Sequence, residues 1–167
     1  MYKRQQCIAG IAFSSGLLGI VHSMAHKTGA AFTGDHIIHG CANAMYLGKV
    51  IQFNARDERA KSRYAFIAKD VLHLAGETED ELVEALVQKI RDLNDALDIP
   101  QGIKNYGKSG VKADESIIDY EEFEAKKADV AANAILDACT GSNPRIPTQE
   151  EMEQLLECVY TDTPVTF

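Results

Sequence analysis

Apolar residues along this chain recur at helical spacing, and no run alternates as a half-buried strand would. Residues about 4–28, rich in Ala, Gly, Ser and Leu, are apolar almost all round, which predicts a helix packed on every side. Gly29 ends it, and Ala30 to Ile38 read as a turn carrying Gly34. From about 40 to 55, Ala42, Met45, Tyr46, Val50 and Phe53 fall at helical spacing. The segment 57–75 repeats the pattern through Ala60, Tyr64, Ile67, Ala68, Val71 and Leu72. Thr78-Glu-Asp-Glu81 is a capping box opening a helix to about Leu97, with Leu82, Ala85, Leu86, Ile90, Leu93 and Leu97 as its apolar stripe. Pro100 stops it, and the glycines and lysines of 101–115 predict an exposed connection. A further helix covers about 120–138, ending in the dense turn signal Cys139-Thr-Gly-Ser-Asn-Pro-Arg145. Thr148-Gln-Glu-Glu151 caps a last one, to about Tyr160. The pattern predicts an all-α fold, a bundle of six or seven helices in one domain over 1–167, without internal repeats.

Composition narrows the function classes. At 167 residues, 46% hydrophobic and 25% charged, the chain has the make-up of a globular domain with a real core. A net charge of −8 argues against nucleic acid, whose phosphates need a lysine and arginine excess. Cys7, Cys41, Cys139 and Cys158 lie far apart with no CxxC pair, which favours reduced, mostly buried thiols and a cytoplasmic protein over a cysteine zinc site. Lys3-Arg4 ahead of the apolar run Ile8–Val21 imitates a secretory leader. Cleavage after Ser23-Met24-Ala25 would separate His22 from His26, however, and the run is too short for a membrane span. A buried helix is expected there instead.

Four of the five histidines, His22, His26, His36 and His39, fall within eighteen residues on helix, turn, helix. Imidazole is the commonest metal-binding side chain and titrates near neutrality, so a metal or proton-transfer site is the leading expectation. His22 and His26, four apart, share a helix face, and three neutral imidazoles with an open fourth position make a catalytic metal site. The plain alternative is that these are core histidines bonded to backbone. Elsewhere, Gly29 and Gly34 are followed by Asp35 where a phosphate-binding loop needs Lys, and no GxGxxG occurs. The chain therefore carries no nucleotide-binding loop of its own. The Cys139–Arg145 turn either binds a phosphate through Arg145 or simply joins two helices.

Ile8-Ala-Gly-Ile-Ala-Phe-Ser-Ser, His22-Ser-Met-Ala-His26-Lys-Thr-Gly-Ala, His36-Ile-Ile-His39-Gly-Cys-Ala-Asn-Ala and Asp137-Ala-Cys-Thr-Gly-Ser-Asn-Pro-Arg145 resemble the iron-containing (group III) alcohol dehydrogenase family. The resemblance implies that this is the helical C-terminal domain of a longer enzyme. The partner would be an N-terminal Rossmann-like domain binding NAD or NADP, absent from this sequence. It implies a divalent metal, Fe2+ or Zn2+, held by one Asp and three His. His22 and His39 match two of those ligands, and the other two belong to a helix that would precede residue 1. It places His26 beside nicotinamide and substrate as a proton relay rather than a ligand, puts Phe13 in the substrate pocket, and leaves His36 as a neighbour of the turn.

The implied reaction interconverts a small alcohol and its aldehyde, with the metal as Lewis acid and hydride passing to the nicotinamide. Family members commonly form dimers or larger assemblies, so a homo-oligomer is implied for the intact enzyme. With half its metal ligands the chain alone should hold metal weakly and catalyse nothing. Rival expectations are a stand-alone helical metal-binding module and a packing domain whose histidines are only core. The alcohol dehydrogenase end of a bifunctional aldehyde–alcohol dehydrogenase also fits.

Overall fold

The computed structural model describes residues 2–32 and 37–167. Seven α-helices form among them: α1 (Tyr2–Gly16), α2 (Ile20–Ala31), α3 (His39–Asn54), α4 (Glu58–Phe66), α5 (Glu79–Ala96), α6 (Tyr120–Ile135) and α7 (Gln149–Thr161). No strand occurs among the described residues, where an isolated antiparallel bridge joins Tyr106 to Lys112. The all-α expectation holds, and so do its best-signalled helix starts. Thr78 Oγ1 accepts the Glu81 N–H at 3.2 Å while Glu81 Oε2 accepts the Thr78 N–H at 3.3 Å. The Thr148–Glu151 pair repeats this at 3.2 and 2.9 Å. Each reciprocal pair satisfies two amides that a helix start leaves open.

The helix expected over 4–28 is two helices, α1 and α2, bent by 102°. Gly16 and Gly19 bracket the break, and Leu17 takes a left-handed φ of 63°. At the start of α2 the Ile20 N–H is held at 3.3 Å by Asn143 Oδ1, a tertiary acceptor in place of a carbonyl of α1. A Cβ on Gly19 would lie 2.6 Å from that oxygen, so the approach needs glycine. Only the α2 half is buried as expected. α1 exposes Ile8, Ile11 and Phe13, and Leu17 in the break is exposed too, because no helix among the described residues covers them. No single helix among the described residues is long and apolar enough to cross a membrane.

Three other expectations are corrected. The 57–75 helix runs as α4 and then widens into a π-helical turn, Ile67–Val71, ending at His73 with φ 55°. Ala60 and Ala68 are buried as expected and Ala65 joins them, whereas Ile67, Val71 and Leu72, in or just after the wider turn, are exposed. On α5 the buried stripe is Leu82, Val83, Leu86 and Val87, and Leu93 and Leu97 are exposed; Asn94 is buried instead and donates to the Ala44 carbonyl at 3.1 Å. The 101–115 connection is not simply exposed, since Ile103 and Tyr106 are fully buried. Gly102 lets this connection approach α7: a Cβ there would sit 2.8 Å from the Val159 carbonyl oxygen and 3.0 Å from that of Tyr160. Gly102→Ala is therefore expected to destabilise the fold by about 1–3 kcal/mol, read as a lower urea midpoint at unchanged slope.

Two cores result. Helices α2, α3, α6 and α7 enclose Ile20, Met24, Tyr46, Phe53, Phe123 and Leu155. On the other side of α3, Ile51 packs with Ala65 of α4, Ala68 of the π-helical turn, and Leu82 and Leu86 of α5. Between them Lys49 is buried, its Nζ 2.8 Å from Asp162 Oδ1, while Arg91 grips the same carboxylate with two bonds of 2.7 and 2.9 Å. Asp162 ends α7 in the left-handed region.

The turn Cys139–Arg145 is a helix joint. Arg145 donates to the carbonyls of Phe53 (3.1 Å) and Phe167 (3.0 Å), pairs with Glu151, and lies 3.9 Å above the Phe53 ring. Those contacts use the guanidinium that phosphate binding would require. Among the cysteines Cys7 is exposed, against expectation, because it lies on α1; Cys41, Cys139 and Cys158 are half-buried, and all four are free thiols.

Candidate metal and proton-transfer site

Helix α2 carries His22 and His26 one turn apart on one face, and α3 begins at His39 directly across from them. The ring centroids are 6.1 Å apart for His22–His26, 5.4 Å for His22–His39 and 5.2 Å for His26–His39, the last pair stacked within 9° of parallel. The sequence expected this convergence, and the fold secures it from two sides. Thr28, one turn past Met24 on α2, accepts the Tyr46 hydroxyl of α3 at 2.9 Å, locking the two helices together. Just before His39, the Ile38 N–H donates to the Tyr106 hydroxyl at 2.8 Å, so the 101–115 connection fixes where α3 starts.

The electrostatics suit a cation-binding donor set. Burial, then His39, then His26 push the His22 imidazole below its ordinary value, which favours the neutral ring that coordinates metal. His39 Nε2 accepts from Asn43 Nδ2 at 2.9 Å, so it is the unprotonated nitrogen of the neutral ring, and Asn43 must release its lone pair before a metal could take it. Asn43 Oδ1 is buried with no hydrogen-bond partner among the described residues. An orphaned acceptor beside these imidazoles is a polar imbalance that a bound cation or its water would relieve. The residues thus fit a divalent metal, though two or three imidazoles leave its coordination incomplete.

The remaining expected residues divide. Phe13 lies on α1, before the bend, and is 52% exposed. His36 falls outside the described residues. His73 sits far along the chain, exposed, at the end of the π-helical turn.

Sequence reasoning gave no separate role to Asp137, which the turn after α6 brings to His26. Its Oδ2 lies 3.4 Å from His26 Nδ1 and 3.0 Å from Lys27 Nζ, and its Oδ1 accepts the Cys139 N–H at 3.0 Å. The turn is pinned to α2 by Thr140, whose hydroxyl oxygen lies 2.7 Å from both Ser23 Oγ and the Ala134 carbonyl oxygen. Burial raises the Asp137 carboxyl, but the Cys139 amide and the Lys27 ammonium outweigh it and hold the group well below the usual carboxylate range. Donor atoms of His26, Asp137 and Cys139 lie within 4.8 Å of one another, yet Lys27 already supplies a cation to this carboxylate.

The profile of the Fe-containing alcohol dehydrogenase family, C-terminal part, matches residues 3–160. The chain belongs to the iron-containing alcohol dehydrogenase family. It is 49% identical over 162 residues to an NADPH-dependent butanol dehydrogenase of Clostridium saccharobutylicum, covering 97% of this chain and 38% of that protein. A bifunctional aldehyde-alcohol dehydrogenase of Escherichia coli is 35% identical over 167 residues, covering 92% of this chain and 17% of the relative. Among solved structures, the iron-containing alcohol dehydrogenase of Thermococcus thioreducens superposes with a TM-score of 0.70 at 30% identity, covering 93% of this chain and 35% of its own. The alcohol dehydrogenase of Oenococcus oeni gives 0.73 at 26%, with 91% and 35% covered. The chain thus spans little more than a third of the butanol dehydrogenase it matches. Its helical fold, without strands among the described residues, agrees with a match to the C-terminal part of the family.

Proposed function

We propose that this chain is the C-terminal, metal-holding part of an NAD(P)-linked dehydrogenase interconverting a primary alcohol and its aldehyde in the cytoplasm. The observation that carries this is the meeting of His22, His26 and His39 at the α2–α3 junction, with rings 5.2–6.1 Å apart. Support comes from family membership and from the 49% identical relative, described as NADPH-dependent and acting on butanol. His22 and His39 would hold the metal, iron or zinc, together with an Asp and a His from outside this chain. When bound, the metal lends Lewis acidity that eases loss of the alcohol proton, and the nicotinamide cofactor accepts the hydride. His26 is assigned to proton transfer rather than ligation, as the family resemblance implies, and its exposed ring stacks on that of His39. Phe13 is assigned to the substrate-lining wall completed by the nucleotide-binding half, and the intact enzyme is assigned a homo-oligomeric state.

The test is a chimera in which this chain replaces the corresponding C-terminal part of the butanol dehydrogenase relative. The chimera is expected to oxidise NADPH only when butanal and a divalent metal are both present. The 167-residue chain alone should show no turnover and only weak Fe2+ binding. Tight metal binding by the isolated chain, with a folded but inactive chimera, would instead establish a stand-alone metal-binding module.

A further inference from the structure

Asp137 is not among the residues to which the family resemblance assigns a role, yet its surroundings are those of a group built to hold another. The carboxylate is 12% exposed and receives three nitrogen donors: the Cys139 amide on Oδ1, with Lys27 Nζ and His26 Nδ1 on Oδ2. Two of these are fixed by local backbone and by charge. The Cys139 amide comes from the same turn, and Lys27 follows His26 on α2. The His26 contact is the one that reaches from the turn across to the imidazole cluster.

An ionised carboxylate only accepts hydrogen bonds. Lys27 and the Cys139 amide keep Asp137 ionised, so the nitrogen of His26 facing it must carry the hydrogen. The opposite nitrogen, Nε2, is then left with its lone pair. A neutral imidazole without such a partner has no tertiary constraint on which nitrogen is protonated, and the bond made by one nitrogen decides the role of the other.

We propose that Asp137 is a positioning residue for His26, fixing the Nδ1–H tautomer and the ring plane so that Nε2 is the nitrogen that exchanges a proton during the reaction. The inference rests on the reading of His26 as a proton-transfer group. It explains why the turn after α6 is tied to α2 by Thr140 and Ser23: that tie sets the distance from Asp137 to His26. It also gives Lys27 a purpose, since its ammonium balances a carboxylate that would otherwise stand beside the cluster uncompensated.

The test is two-bond proton–nitrogen correlation spectroscopy on the 167-residue chain with 15N-labelled histidine. It is recorded at about pH 8.5, some two units above the ordinary imidazole value, so that neutral rings dominate. In the unmodified chain His26 is expected to be protonated at Nδ1 and bare at Nε2. In Asp137→Asn the amide oxygen can still accept the Cys139 N–H, so the turn is kept. Its nitrogen cannot accept from His26, so the Nδ1–H form is expected to give way to Nε2–H, with the His22 and His73 signals unmoved.

A His26 protonated at Nε2 in the unmodified chain overturns the proposal without any variant. So does an Asp137→Asn chain whose His26 stays protonated at Nδ1. The readout needs neither metal nor turnover. An inactive chimera would therefore leave the tautomer result standing, and a failed tautomer result would leave ligation by His22 and His39 untouched.

Discussion

Replacing His22 or His39 by alanine in the butanal-reducing chimera should lower metal-dependent kcat/KM by more than about 100-fold, or about 2.7 kcal/mol of transition-state stabilisation. Losing even a supporting group outside the ligand set of a metal typically costs 10–100-fold in affinity or activity, and a ligand should cost more. Metal content of the purified variants, measured by mass spectrometry, should fall in parallel. His36→Ala should keep turnover within about threefold of the parent, as expected of a residue that neither coordinates nor positions the metal. His39 opens α3 and is exposed, so its truncation should leave the helix packing intact. If His39→Ala were fully active and His36→Ala were not, the second ligand would be misassigned.

The largest stability effect is expected at Asp162. The Lys49 side chain is only 7% exposed and its ammonium lies 2.8 Å from Asp162 Oδ1, so Asp162→Asn strands a buried cation. Removing one partner of a buried ion pair costs about 3–5 kcal/mol, and asparagine keeps the left-handed backbone tolerable, so the loss reports charge rather than strain. Lys49→Met should cost less, because Arg91 still holds the carboxylate with both its donors. The pH dependence follows from the direction of the Asp162 shift. Burial raises its carboxyl, but the Arg91 and Lys49 bonds outweigh burial and set it below the ordinary value of 3.8. A carboxyl lowered in the folded state contributes stability that is complete above the unfolded value. That stability is lost as pH falls through the folded one. Urea midpoints of the unmodified chain should therefore decline below about pH 4, and those of Asp162→Asn should decline less steeply there.

Features encoded locally were legible in the sequence. The Thr78 and Thr148 caps need only residues three apart, and both helices start where expected. The imidazole cluster was legible for the same reason: His22 and His26 are one turn apart, and His39 follows within one helix–turn–helix. Tertiary partners were not legible. The bend after Gly16 depends on Asn143 taking the Ile20 N–H across 123 positions, which no periodicity records. Asp137 lies 111 positions from His26, and its motif reads as a turn until the fold brings the two side chains together. Arg145 looked available to a phosphate because its partners Phe53, Glu151 and Phe167 are scattered along the chain. The π-helical turn at Ile67–Val71 broke a stripe that was drawn at uniform helical spacing.

Helix α3 belongs to both cores, sending Met45, Tyr46 and Phe53 one way and Ile51 and Ala55 the other. The α4–α5 pair meets the imidazole side of the molecule chiefly through this helix and through the Arg91–Asp162 bond. Substitutions in Ala65, Ala68, Leu82 or Leu86 therefore share few partners with the histidines, and effects at unshared sites add rather than compound. The α4–α5 pair is accordingly a part of this chain that can change with little effect on the imidazole cluster. A new neighbour or a different stability can be accommodated there while the geometry of His22, His26 and His39 is largely kept.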